Sequence, residues 1–214
     1  MRPPESWKTA RVTLAIAGAT AAVWLVVSLF GLEQIAVLWG AFIPIRIGGS
    51  GIDSPWLAPV FLTPLTSAFL HLDLMHLVFN LLMLLFCGRA VEGILGPVGI
   101  VLLYVIGAYL AAAGQYVLDP MGTMPMIGAS GAGSAVLGAY AMLFGRNKLR
   151  ISNPTLARAI HALWLLAAWV VLQLFIGFAT QSLNIAIAIG AHIGGFVAGV
   201  ALARPLLLLR WRGA

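Results

Sequence analysis

With 214 residues, of which 62% are hydrophobic and only 8% charged, the chain falls far short of the roughly 25% charged residues of an ordinary soluble domain, which excludes a water-soluble monomer. The net charge of +6 does not point to nucleic acid, because the twelve Lys and Arg are scattered at the ends of apolar runs and form no basic stripe. The single cysteine, Cys87, excludes both a disulfide framework and a cysteine metal cluster.

The first apolar run, 12–30, follows a basic leader with Arg2, Lys8 and Arg11. It is longer than the about 7–15 residues of a signal-peptide core, so it is expected to be a transmembrane helix. The connection over 31–70 carries Trp39, Trp56, Pro44, Pro55, Pro59 and Pro64 among apolar residues. That composition predicts a segment in the membrane interface, where amphipathic rings are favoured, and for most of its length it reads as a spacer. Further spans are expected at 71–91, 98–118, 129–145, 159–179 and 185–209. The sequence therefore predicts an all-α membrane protein of six transmembrane helices in a single domain, 1–214.

Charge tests that count, since cytoplasmic loops collect Lys and Arg. Placing the N-terminus in the cytoplasm puts Arg2, Lys8, Arg11, Arg89, Arg146, Lys148, Arg150, Arg158, Arg204, Arg210 and Arg212 inside and leaves only Arg46 outside. Glu33, Asp53, Asp73 and Asp119 join Arg46 there. Both termini are then expected in the cytoplasm.

Hydrogen-bonding side chains inside a bilayer are costly unless they face a protein interior or a water cavity, so they mark where function resides. Three groups stand out. On the second span His76 and Asn80 are four apart and share a helix face; a lone His there would read as a structural residue. The fourth span opens with Gly128-Ala-Ser130-Gly131. A serine between glycines is also a packing site, but Pro120, Gly122 and Pro125 make the approach irregular. Ser130 is thereby predicted at a helix N-terminus whose free amides favour negative charge. The last span carries His192, Gly195 and Gly199 on one stripe, matched on the fourth by Ser130, Ser134 and Gly138. Two such stripes allow backbone-to-backbone packing and bring Ser130 to His192.

In the expected topology the second, fourth and sixth spans all run from outside to inside. His76, Asn80 and His192 then lie about 10 Å below their helix starts, level with the start of a shorter fourth helix. A serine, a histidine able to act as its base, and an Asn and second His able to donate to an oxyanion describe acyl transfer. No inward-facing carboxylate is evident to orient His192, so the base is expected to be held by packing, as a dyad. A zinc site on His71, His76 and His192 is the weaker alternative, since no HExxH or activating carboxylate accompanies it. A channel or transporter would call for inward-facing charge or helices broken at the midplane. No cofactor or metal is expected.

These motifs resemble the rhomboid family of intramembrane serine proteases: HxxxxHxxxN at His71, His76 and Asn80, GxSG at Gly128–Gly131, and AHxxG at Ala191–Gly195, in that order along the chain. The resemblance implies a rhomboid-like bundle with Ser130 as nucleophile and His192 as general base. It also implies an oxyanion site formed by His76, Asn80 and the Ser130 amide, supported by Gly128, Gly131, His71 and Gly195. Transmembrane proteins, cut in or near their membrane segments, would be the substrates; the lipid bilayer is the surrounding partner and nucleic acid is not one. Glu92 matches a position the family uses structurally. Leu62-Thr63 stands where the family commonly has Trp-Arg, and Ser134 where an aromatic often packs on the base. A bacterial inner membrane, with the site toward the periplasmic side, is the implied location. The alternative is a catalytically silent rhomboid-like protein that binds membrane clients. The fifth span, with Trp164, Trp169, Phe175 and Phe178, is read either as a lipid-facing gate beside the link Thr180–Asn184 or as ordinary lipid contact. Gln115 borders the site or is solvated at the interface.

Overall fold

The computed structural model describes residues 10–48, 54–145, 152–181 and 187–211. Arg2, Lys8, Arg146, Lys148, Arg150, Arg212 and Asp53, which entered the charge count, lie outside the described residues, as do 182–184 of the expected link. The chain forms α1 (Arg11–Leu29), α2 (Glu33–Gly40), α3 (Thr63–Thr66), α4 (Leu74–Leu118), α5 (Ser130–Phe144), α6 (Pro154–Gln181) and α7 (Ile189–Trp211). Short 3-10 turns occupy Pro44–Gly48 and Ser67–Phe69. Among the described residues the chain is all-α. Helices α1, α4, α6 and α7 are long and apolar enough to cross a membrane, and α5 is apolar but shorter. A helix suits that setting because it satisfies every backbone polar group internally.

The spans expected at 71–91 and 98–118 are the two halves of α4. Gly96, at φ 76° and ψ 174°, interrupts it just before Pro97. The positive φ requires a glycine, and the proline cannot continue the hydrogen-bond ladder. A straight helix of this length would reach about 67 Å, yet both halves line α5. A methyl group on Gly107 would come within 2.5 Å of Ala135 Cβ, one on Gly131 within 2.8 Å of Ala111 Cβ, and one on Gly133 would strike Met83. The halves therefore fold back on each other at Gly96.

Helices α4, α5 and α7 make the core, and small residues let them approach closely. A Cβ on Gly195 would collide with the Gly131 carbonyl, and one on Gly199 with the Ala135 carbonyl. Gly138 faces the Phe196 carbonyl of α7, and Gly114 of α4 abuts Gly190 and Gly194. Leu84, Val91, Ile100, Leu103, Tyr104 and Val136 fill the space between. Helix α1 leans on α4 through its buried Thr13, Ala17 and Thr20. The buried Glu92 carboxylate accepts from the Val12 amide (2.9 Å), the Thr13 amide (2.7 Å) and Thr13 Oγ1 (2.6 Å). It supplies the acceptors that the N-terminus of α1 lacks locally.

In place of a plain spacer, the described parts of the 31–70 segment, 31–48 and 54–70, are folded and tied down. Phe42 and Met126 exchange both backbone bonds, at 3.1 and 2.8 Å, and the Ile45 amide donates to the Gly122 carbonyl. Arg46, the lone cation expected outside, is buried and donates from Nη2 to the Ala58 carbonyl at 2.8 Å. Thr66 Oγ1 donates to the Gly40 carbonyl at 2.7 Å. Polar backbone in a hydrophobic loop needs such partners, which is why the loop packs instead of wandering. Trp39 and Trp56 remain exposed.

Helix α6 stands apart, with only 6% of its most apolar stretch buried against 50% for α4. Trp164, Phe175 and Phe178 face outward. Trp169 turns inward, stacking on Phe196 of α7 at 4.9 Å between ring centres.

Candidate active site

Helices α4, α5 and α7 present their N-terminal turns to one another. Asp73 caps α4, its Oδ1 accepting from the His76 amide at 2.8 Å, so the helix starts at Leu74 and not at His71. Helix α7 begins at Ile189. His76 and His192 thus sit in the first turn of their helices, shallower relative to the helix starts than the about 10 Å expected, and Ser130 opens α5 as expected.

Ser130 Oγ lies 2.9 Å from His192 Nε2. On the far side of the ring, His192 Nδ1 lies 2.8 Å from Gln173 Oε1. An amide oxygen only accepts, so a bond from Nδ1 to it requires the Nδ1–H form of the ring, the form in which a neutral imidazole keeps Nε2 as an acceptor for the serine hydroxyl. The expectation that packing alone holds the base is therefore corrected: a buried side chain of α6 is bonded to it. Nothing in the motif spacing pointed to Gln173. The available signal was an amide within the apolar run of α6, which is costly in lipid unless partnered.

The approach to Ser130 is held from below and from the side. Gly128 adopts φ 110°, and a methyl group there would come within 2.6 Å of His76 Nε2, so the His76 ring lies against this backbone. The Gly128 amide donates to the Ser67 carbonyl at 2.9 Å. The Ala129 amide donates to His71 Nε2 at 3.2 Å, which places His71 as a strut of the serine loop. Asn80 is buried and its Nδ2 donates to the His76 carbonyl at 2.8 Å, leaving its second amide hydrogen for another acceptor. His71 and His76 meet edge to face at 4.9 Å. Burial, with the neighbouring His76, lowers His71, which lies before α4, to about 4, against the opposing pull of the Phe69 carbonyl and Asp73. Gly131 and Gly195 form the contact that sets Ser130 opposite His192. Among the described residues no group of three or more His, Cys, Asp or Glu is arranged to hold a metal. Gln115 lies beside Gly190 at the start of α7.

Residues 59–209 match the Rhomboid domain. The chain belongs to the rhomboid family. It is 32% identical over 141 residues to Rhomboid protease GluP of Bacillus subtilis, covering 66% of this chain and 26% of that protein. It is 34% identical over 141 residues to Rhomboid protease GlpG of Salmonella paratyphi A, covering 64% of this chain and 46% of the relative. The chain thus spans between about a quarter and a half of the length of these relatives.

Within this rhomboid the two sequence departures find local explanations. Thr63 is buried and donates from Oγ1 to the Val60 carbonyl at 2.7 Å, while Arg46 pins the loop at Ala58. Ser134 donates to the Ser130 carbonyl at 2.7 Å, so it closes the first turn of α5, and the contact to His192 Nδ1 comes from α6.

Proposed function

We propose that this rhomboid is an intramembrane serine endopeptidase that cleaves peptide bonds in or near the transmembrane segments of membrane-protein substrates. The observation that carries the reading is the 2.9 Å approach of Ser130 Oγ to His192 Nε2, with Nδ1 occupied on the other side. Ser130 Oγ attacks the scissile carbonyl carbon and its proton passes to His192 Nε2. Negative charge develops on the substrate oxygen, where the Ser130 amide, the remaining Asn80 hydrogen and the His76 ring are the donors at hand. The C–N bond breaks as His192 returns the proton to the leaving amine. Water, deprotonated by the same imidazole, then hydrolyses the acyl ester and frees Ser130.

Counting the halves of α4 as two spans and α5 as a short one gives six, with both termini cytoplasmic and the site toward the periplasmic side of a bacterial inner membrane. The whole chain then acts as a single protease domain. Helix α6 is the lipid-facing wall beside which a substrate segment enters. No cofactor takes part.

Ser130→Ala is expected to abolish cleavage of a reporter transmembrane substrate in liposomes, and a serine-directed phosphonate is expected to label the wild type but not His192→Ala. Wild-type cleavage by Ser130→Ala overturns the reading.

A further inference from the structure

Gln173 lies outside all three sequence motifs, yet it is one of the most deeply buried polar side chains, 2% exposed on a helix whose most apolar stretch is only 6% buried. Its Oε1 is 2.8 Å from His192 Nδ1. One turn earlier on the same face, Trp169 Nε1 donates to the His192 carbonyl at 3.1 Å and its ring stacks on Phe196. Helix α6 therefore grips both the backbone and the ring of one residue of α7.

We propose that Gln173 is a positioning residue for His192, fixing the imidazole as its Nδ1–H tautomer so that Nε2 faces Ser130. Neutral imidazole exchanges its proton between the two nitrogens, and only the form with a bare Nε2 can take the serine proton. An Oε1 acceptor on Nδ1 selects that form and holds the ring plane. The role is that of the carboxylate in a three-residue site, filled by a neutral amide. The neutral partner avoids placing a fixed charge in the bilayer, which is costly. It also makes base orientation depend on α6 staying docked, because Gln173 belongs to the helix with the least buried surface.

The chemical consequence rests on the protease reading, but the tautomer does not, and the test separates them. The chain has four histidines, so nitrogen-15 labelling of the full-length protein in detergent gives four pairs of imidazole signals, with the His192 pair assigned by its loss in His192→Ala. The expected His192 spectrum is the Nδ1–H form in wild type and a tautomer mixture in Gln173→Met, a replacement of similar length without the acceptor. Cleavage by Gln173→Met should show kcat down about tenfold to a hundredfold with KM little changed. That is part of the roughly hundredfold to ten-thousandfold that a placed base contributes. Gln173→Glu restores an acceptor; it should recover the Nδ1–H form and cleavage, with the acidic limb of the pH–rate profile moved to higher pH. A role in packing alone would leave the tautomer unchanged in Gln173→Met, and that spectrum overturns the proposal. A wild type that shows the Gln173-dependent tautomer but cleaves nothing upholds the positioning and sinks the protease reading instead.

Discussion

At the scale of single residues, the site is a set of hydrogen bonds. Asn80 uses one amide hydrogen on the His76 carbonyl and keeps the other, and its burial shields that donor from water. Asn80→Ala is expected to lower kcat by about a hundredfold if the donor meets the developing oxyanion, read in the same liposome assay. His71 offers a pH prediction. Its pKa is lowered from 6.5 to about 4 in the folded chain, so the unfolded chain binds more protons between those values. The stability tied to a neutral His71 is complete above about pH 6.5 and is lost as pH falls toward 4. Thermal melts in detergent should show Tm falling across that window, with a shallower fall in His71→Gln. Ser130, His192, His76 and Asn80 were all legible as polar residues placed against their apolar surroundings. Gln173 lies in no motif and carries no charge, so it does not stand out in the sequence, although its cost in lipid is the same kind of signal.

Elements bring these residues together through what they lack. The stripes Ser130–Ser134–Gly138 and His192–Gly195–Gly199 were readable because small residues recur at helical spacing, and in the structure they are the α5–α7 contact. Gly195→Ala places a methyl group against the Gly131 carbonyl, one residue beyond the serine. Overpacking of this kind costs about 1–3 kcal/mol. Tm should fall by several degrees, and phosphonate labelling should fall further than stability alone accounts for, because the strain separates Ser130 from His192. The fold of the 31–70 segment was not legible, since its ties are long-range backbone bonds such as Phe42 to Met126, which leave no periodicity in either partner. The start of α4 differs from the expected 71 for a local reason: apolar residues continue past the boundary, while the cap at Asp73 decides it. The expected spans 71–91 and 98–118 leave 92–97 between them, and the structure narrows that gap to Gly96.

Across the whole molecule, cohesion is unevenly shared. Helices α4, α5 and α7 are locked by backbone contact and α1 is tethered by Glu92, whereas α6 meets the rest along one narrow face containing Trp169 and Gln173. Local opening follows the least buried element. On heating, proteolytic activity is expected to disappear several degrees below the loss of helical circular dichroism, and a cysteine pair joining α6 to α7 should close that interval. Coincident transitions would show that α6 melts with everything else.

The clamp at Glu92 carries a consequence for how the chain is assembled. The two backbone donors on α1 that it accepts from belong to residues made some eighty positions earlier, so the leading amides of the first helix lack this partner until α4 has been made. A Glu92→Ala chain should therefore insert its helices normally yet leave α1 unfastened, visible as early protease nicking near residue 30 while phosphonate labelling at Ser130 is retained.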